Sequence, residues 1–266
     1  MVRNKLKNKK ILITGASSGI GERLAWHIAE NGGIPIMLAR SIDKLEKQQR
    51  LIEQELRAAS FIYRVDLQNE AQLDAVMNDI LLDHKQIHGL INNAGVGKFA
   101  YVKDITQQDV NHMYQLNVFA LIHMTKIMLV HFSQYQEGHI VNIASQAAKI
   151  STPKSAVYAS TKHAVLGFTN ALRQELTADK EINVSGVNLG PVSTNFFAAA
   201  DPEGTYQKSV ERYMLDPDRV AHAIVRHLFT QKREINLPYW MELGGKIYQL
   251  FPGLLERVLK RQFNKK

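Results

Sequence analysis

Thr14-Gly15-Ala16-Ser17-Ser18-Gly19-Ile20-Gly21 follows the short apolar run Lys10-Ile11-Leu12-Ile13 and precedes Glu22 to Asn31, where Leu24, Ala25, Ile28 and Ala29 recur at helical spacing. This pattern predicts strand, loop and helix in that order, with Gly32-Gly33 ending the helix. Glycines let the backbone adopt unusual dihedrals and approach a ligand closely. The first N–H groups of the helix have no partner within it, and they favour an anion placed over the loop, such as a pyrophosphate. An ordinary glycine-rich connection is the plain alternative. The Thr and Ser between the glycines, together with the strand and helix flanks, favour the phosphate reading.

Working outward, Ile34 to Ala39 reads as a second strand with Arg40-Ser41 at its C-terminal end. In a dinucleotide fold an acid at this point holds the 2′-hydroxyl of NAD, whereas a basic group accommodates the 2′-phosphate of NADP. Arg40 stands there, and a planar guanidinium suits phosphate. NADP is therefore expected in preference to NAD, with a surface arginine near Asp43 as the competing explanation. Residues 42–58 form a charged amphipathic helix, and Phe61 to Val65 a third strand ending at Asp66-Leu67. A helix over 70–86 carries Leu73, Val76, Met77, Ile80 and Leu81, and the strand His88 to Ile91 closes on Asn92-Asn93-Ala94-Gly95. One long helix is expected over 107–134 with Asn117 in its middle, where a satisfied core amide is the ordinary reading. The strand Ile140 to Ala144 delivers Ser145 at its C-terminal end, the edge where ligands bind in open parallel sheets. A helix from about Ser155 to Thr177, a strand Ile182 to Leu189 entering Gly190-Pro191-Val192-Ser193-Thr194, and a last strand Glu234 to Pro238 complete the pattern. Alternating strands and helices imply an α/β fold, a doubly wound parallel sheet in three α/β/α layers.

Tyr158-Ala159-Ser160-Thr161-Lys162 begins the helix after Ser145. Tyr158 and Lys162 stand four apart and share one helix face. A phenol with a reference pKa near ~10 is a poor base at neutral pH, and a nearby ammonium favours its ionised form. A serine hydroxyl can hydrogen bond the oxygen of a bound carbonyl or alcohol. Tyr158, Lys162 and Ser145 could thus pass a proton to or from a substrate oxygen, although YxxxK by itself also describes an ordinary amphipathic helix.

Composition narrows the alternatives. The 266 residues suit one large α/β domain, and the absence of cysteine excludes disulfides, thiolate metal sites and cysteine nucleophiles. Ten scattered histidines show no ligand spacing, so no metal site is expected, and His163 reads as a helix residue. The formal net charge of +8 is concentrated at the ends: Arg3, Lys5, Lys7, Lys9 and Lys10 at one, six basic residues against Glu242 and Glu256 at the other. The central body is near neutral, which argues against a nucleic-acid groove. No apolar signal core precedes the first strand and no run reaches ~18 consecutive apolar residues, so a cytoplasmic protein is expected.

TGASSGIG at 14–21, NNAG at 92–95, Asn117, Ser145 and YASTK at 158–162 appear in an order and spacing that resembles the short-chain dehydrogenase/reductase family over roughly residues 9–238. The resemblance implies a Rossmann-like sheet of about seven strands, a nicotinamide cofactor and a catalytic group of Asn117, Ser145, Tyr158 and Lys162. It implies that Tyr158 is the proton donor in reduction or the base in oxidation, and that Ser145 orients the substrate oxygen. Lys162 would bind the nicotinamide ribose and lower the Tyr158 pKa, and Asn117 would interrupt its helix and hold a water linking Lys162 to solvent. Gly15, Ser17, Ser18, Gly19, Ile20 and Gly21 would line the pyrophosphate, Asp66 and Leu67 the adenine, and Asn93, Ala94 and Gly95 the adenosine ribose. Gly190, Val192 and Thr194 match the stretch that meets nicotinamide. Leu189-Gly190 replaces the family's usual Pro-Gly, which puts the geometry of that loop in doubt. A protein that binds NADP(H) without catalysis, and an acyl-carrier or acyl-CoA ketoreductase, are the alternatives.

The resemblance also places a substrate lid at about 195–215, where Phe196, Phe197, Ala198, Ala199, Ala200, Tyr206, Tyr213 and Met214 suggest an apolar carbonyl substrate bound in part by Phe196. The expected organisation is a basic extension over 1–9, one catalytic domain over 10–238 and a basic amphipathic extension over 239–266. The last carries Ile247, Leu250, Phe251, Leu254, Leu255, Val258 and Leu259 around Pro252-Gly253. Packing on the body or a second subunit is the plain reading of that stripe, and peripheral attachment to an anionic membrane is the other. Helices 107–134 and 155–177 resemble those that pair subunits in the family, implying a homodimer or homotetramer.

Overall fold

The computed structural model describes residues 5–178 and 181–263. Arg3 of the basic start and Lys265 and Lys266 of the tail lie outside them, as do the side chains of Val258 and Leu259. Strands β1 (Lys10–Thr14), β2 (Ile34–Ala39), β3 (Phe61–Arg64), β4 (Gly89–Asn92), β5 (Gly138–Ile143), β6 (Ile182–Leu189) and β7 (Glu234–Leu237) build one sheet in the order β3-β2-β1-β4-β5-β6-β7. Every pairing is parallel. The winding direction reverses between β1 and β4, and that switch point opens the ligand crevice of such sheets at their C-terminal ends.

The strand sequences explain the layering. Along β1, Ile11 and Ile13 face one cluster while Leu12 faces the other; in β2, Met37 and the pair Ile36 and Leu38 divide in the same way. Side chains alternate across a strand, so a run apolar at every position must be covered on both faces. Leu24, Ala25 and Ile28 of α1 (Gly19–Glu30) cover one face, and Leu73, Met77 and Ile80 of a second covering helix, spanning Glu70–His84, cover the other. In chain order the helix Ile42–Leu51 is α2, and Glu70–His84 is α3. Between β4 and β5 the core is polar by design of its partners: Asn92 Nδ2 donates to Asn142 Oδ1 at 2.9 Å and Asn142 Nδ2 donates to Thr169 Oγ1 at 2.9 Å. Buried amides are tolerated when paired in this way. The ladder ties the two strands to the helix that carries the YASTK stretch, next to their C-terminal ends.

The long helix expected over 107–134 is one rod in three parts: α4 (Gln107–Tyr114), a wide π turn (Gln115–Phe119) and α5 (Ala120–Tyr135). It is long and apolar enough to cross a membrane by length and composition, yet half of its most apolar window is buried inside the protein. Then follow α6 (Ala156–Glu175), the short α7 (Phe196–Ala200) and α8 (Thr205–Val210), α9 (Pro217–Val225), α10 (Tyr239–Leu250) and α11 (Pro252–Phe263). Strand β5 ends at Ile143, so Ala144 and Ser145 lie just beyond it and Ser145 caps a 3-10 turn through Gln146–Ala148.

Candidate active site

The glycine loop is held open from behind. Thr14 Oγ1 accepts the backbone N–H groups of Asn93 and Ala94, both at 3.0 Å, and Asn93 Nδ2 donates to Thr14 O at 2.9 Å. Gly15 has φ +66°, and a Cβ there would stand 2.9 Å from Ala94 Cα. A Cβ on Gly21 would meet Gly15 O at 2.3 Å. The loop and NNAG therefore pack backbone to backbone, leaving the start of α1 bare. Ser18 makes no side-chain cap, so it leaves the first N–H groups of the helix without that partner, and Ser18, Gly19 and Ile20 line a hollow there. That hollow has a volume of about 400 Å³ and is lined by Gly15, Ser17, Ser18, Gly19, Ile20, Arg40, Asp66, Leu67, Asn93, Ala94 and Gly95, with Thr194 and Phe196 at its far side. Arg40 is exposed at its rim beside Ala39 and Ser41. A cradle of backbone donors and close-approach glycines fits a dinucleotide phosphate.

A second cavity, of about 500 Å³, adjoins the first through Ile20, Asn93, Gly95, Thr194 and Phe196. It holds Ser145, Tyr158, Lys162, Gly190 and Val192. Tyr158 and Lys162 project from adjacent turns of α6, with Lys162 Nζ 5.9 Å from the centre of the Tyr158 ring. Lys162 Nζ donates to Ile143 O at 2.9 Å, and Ser145 Oγ donates to Leu189 O at 3.2 Å while accepting from Ala147 N at 3.1 Å. β5 and β6 thus anchor both groups through backbone carbonyls. Leu189 remains within β6, paired in register with Leu237, so replacing proline leaves the strand intact up to the loop.

One expectation is reversed. Burial pushes the Tyr158 phenol up to about 12, against the opposing hydrogen bond of Ser145, where a neighbouring ammonium was expected to pull it down. The physical reason is desolvation of a site in which Lys162 is itself buried and turned to the Ile143 carbonyl. Burial lowers the Lys162 ammonium to about 8 from an ordinary 10.5. Below pH 8 the folded protein therefore carries a buried charge at a cost; between about pH 8 and 10.5 the unfolded chain binds more protons, so this contribution to stability rises with pH. Lys162→Met is expected to stabilise the fold at neutral pH by about 1–2 kcal/mol, after allowing for the lost bond to Ile143. Urea midpoints should show that gain shrinking as pH approaches 10.5. A gain independent of pH would show that the charge is not its source.

Asn117 lines neither hollow. It sits in the π turn, where Oδ1 accepts from Val96 N at 2.9 Å and Nδ2 donates to Val96 O at 2.9 Å and Thr161 Oγ1 at 3.0 Å. The carboxamide reads as a backbone strand would, fastening the NNAG loop to α6 immediately beside Lys162. The interrupted helix is found as expected.

Of the stretch 195–215, Phe196, Phe197, Tyr206 and Val210 line the cavity. Phe196 lies 5.7 Å from the Tyr158 ring, and Phe197 and Tyr206 complete an aromatic wall. Tyr213 and Met214 do not line the cavity; Tyr213 packs on Trp240 at 5.6 Å. Phe99, in the loop after β4, was not foreseen: it stands 5.7 Å from Tyr158 and 4.6 Å from Tyr206, and its N–H donates to Ala200 O at 2.8 Å. The larger surprise is α10. Trp240, Met241, Gly244, Ile247 and Tyr248 line the same cavity as Tyr158, so much of the supposed tail is part of the site. A buried ammonium, Lys149, fixes that helix: it bonds Glu234 Oε2 at 2.8 Å, Asn236 Oδ1 at 3.2 Å and the Glu242 carboxylate. Burial alone would raise the Glu234 carboxyl, but the bond and charge of Lys149 outweigh it and hold the group below its ordinary range.

The chain matches the short chain dehydrogenase family model over residues 9–204. It is 32% identical over 240 residues to the NADP-dependent 3-hydroxy acid dehydrogenase of Schizosaccharomyces pombe, covering 88% of this chain and 91% of that protein. Its fold superposes on a short-chain dehydrogenase of Sphingobium yanoikuyae in complex with NADPH with a TM-score of 0.77 and 27% identity, covering 92% and 96% of the two chains. A short-chain dehydrogenase/reductase of Burkholderia phymatum in complex with NAD gives a TM-score of 0.85 at 23% identity, covering 94% and 95%. With a seven-stranded switch-point sheet, a glycine-lined hollow at its C-terminal edge, and half-buried Ser145 and Tyr158 beside a buried Lys162, the chain belongs to the short-chain dehydrogenase/reductase family of nicotinamide-dependent oxidoreductases.

Proposed function

We propose that the protein interconverts a carbonyl and a secondary alcohol on an apolar substrate using NADP(H). The observation that carries this reading is the meeting of Ser145, Tyr158 and Lys162 in an apolar cavity that opens onto the phosphate cradle with Arg40 at its rim. The nicotinamide, when bound, supplies or accepts the hydride. Ser17 to Gly21 hold the pyrophosphate, Asp66 and Leu67 border the adenine, Asn93 to Gly95 the ribose, and Gly190, Val192 and Thr194 the nicotinamide end. Arg40 binds the 2′-phosphate. Ser145 orients the substrate oxygen, Lys162 holds the nicotinamide ribose, and Asn117 keeps the loop and helix around Lys162 in register.

A phenol held at about 12 keeps its proton across the neutral range, so Tyr158 is poised as an acid for reduction. Oxidation requires the conjugate base and should gain rate as pH rises. Rates in both directions on one ketone–alcohol pair test the asymmetry, and an oxidation rate that falls with pH contradicts it. An NADPH-oxidation screen over ketones, aldehydes and acyl thioesters tests the function itself; apolar ketones should be turned over, and silence across the panel would refute the reading.

The outer side of the C-terminal helices supports peripheral contact with an anionic membrane. Tyr239, Leu243, Leu250, Phe251 and Leu254 are exposed there, in a segment rich in basic residues. Sedimentation with anionic vesicles should carry down the native chain and leave a variant with Leu250→Glu and Leu254→Glu, both at exposed positions, in solution. Equal partition of both contradicts the contact. Exposed Phe119 and Val130 on the rod of α4 and α5 support pairing with a second copy along that face.

A further inference from the structure

We infer that α10 is the distal wall of the substrate site, positioned by Lys149 and Glu242, and that it receives the neutral apolar tail of an elongated carbonyl substrate. This rests on the carbonyl reading above and names its substrate class.

Lys149 lies four residues beyond Ser145, on the turn that Ser145 caps, and is 8% exposed. Its ammonium meets carboxylates from two other elements: Glu234 on β7, and Glu242 on α10, which is 5% exposed. A buried ion pair is a poor source of stability, and its best-attested use is to fix one arrangement among several. Here the arrangement joins the loop of Ser145 to the first turns of α10. Close packing sets the same helix from two sides. A Cβ on Gly190 would meet Met241 Sδ at 2.8 Å, and one on Gly245 would meet Lys149 Cβ at 3.5 Å. The helix is thus registered against both the Ser145 turn and the loop at the nicotinamide end.

The wall itself is made for hydrocarbon. Trp240, Met241, Ile247 and Tyr248 line the cavity, and among the described residues lining it Lys162 is the one that carries a charge. Lys246 of α10 does not line the cavity, so an anionic tail would meet no basic side chain of that helix there, whereas an alkyl tail would bury apolar surface, each methylene contributing roughly threefold to fourfold in affinity. Gly244 lies in this wall with nothing within 4 Å of the position its Cβ would take, so room for a tail is present where a side chain would otherwise project.

The test uses the full chain and a series of methyl ketones, butanone, octanone and dodecanone, with NADPH. In the native protein kcat/KM should rise with chain length. Gly244→Leu fills the open space and improves helix propensity, so folding is retained; it should lower the dodecanone-to-butanone ratio of kcat/KM by about tenfold, through KM. Glu242→Gln keeps an acceptor but drops the charge, and should flatten the same profile while amide hydrogen exchange across Tyr239–Leu250 speeds up relative to the native protein. Both variants keeping the native length profile would overturn the inference. If the native enzyme reduces none of these ketones, the carbonyl reading fails by itself, and the wall is then judged by binding alone. Quenching of tryptophan emission by dodecanone in the native protein, lost in Gly244→Leu, supports it; equal quenching in both, or none in either, overturns it.

Discussion

Tyr158→Phe should lower kcat for ketone reduction by about a thousandfold, within the 10²–10⁴ that a positioned acid contributes. NADPH affinity should change by less than about twofold, because an acid that acts on the reacting oxygen contributes to the transition state and little to the ground state. The substitution is a clean one. The phenyl ring keeps its contacts with Phe99 and Phe196, each at 5.7 Å, and Ser145 retains its bond to Leu189 O, so no buried donor is stranded. Removing a hydroxyl whose desolvation raises its pKa to about 12 also leaves no new buried charge. Steady-state kinetics with cofactor titration check both halves of the expectation. Turnover retained within tenfold of the native rate would remove Tyr158 from the chemistry.

Arg40→Ala carries the second large effect, on cofactor choice. Losing a charge-assisted bond of about 1.5–3 kcal/mol should raise the Kd for NADPH by roughly 10- to 100-fold, with NADH changed by less than about twofold. Arg40 is exposed at the rim of the phosphate hollow, so screening should shrink the difference as salt rises. Titrating both cofactors at two salt concentrations measures it. An equal loss for the two nucleotides would show that Arg40 does not read the 2′-phosphate.

What could be read in the sequence was whatever local pattern enforces. Ile11, Leu12 and Ile13 are apolar at every position because both sheet faces are covered, and that run followed by Gly15, Gly19 and Gly21 can hardly be anything but a strand turning under a ligand. Ser145 and Tyr158 were legible because their elements end at one sheet edge. The unreadable parts depend on partners distant in the chain. Lys149, Glu234 and Glu242 look like three surface charges until the fold closes a gap of 85 to 93 residues between them. Asn117 resembles any helix amide, and only the wide turn around it reveals a side chain bonded to the Val96 backbone. The C-terminal stripe could be read as a helix packed on the body, on a second subunit or on a membrane, because amphipathic periodicity specifies a face to be covered and says nothing of what covers it. In the structure Trp240, Met241, Gly244, Ile247 and Tyr248 line the cavity that holds Tyr158. Direction of a pKa shift was likewise beyond sequence: spacing placed Lys162 near Tyr158, but burial decided the sign.

The central claim is that hydride reaches a carbonyl carbon in the cavity beside Tyr158. Incubating the native enzyme with NADPH deuterated at C4, taking each face in turn, and an apolar methyl ketone tests it directly, with the alcohol product read by mass spectrometry. One of the two deuterated cofactors should place a single deuterium on the carbinol carbon, and Tyr158→Phe should yield almost no labelled alcohol. Alcohol formed without deuterium from either cofactor, or labelled alcohol formed equally fast by Tyr158→Phe, would contradict the account.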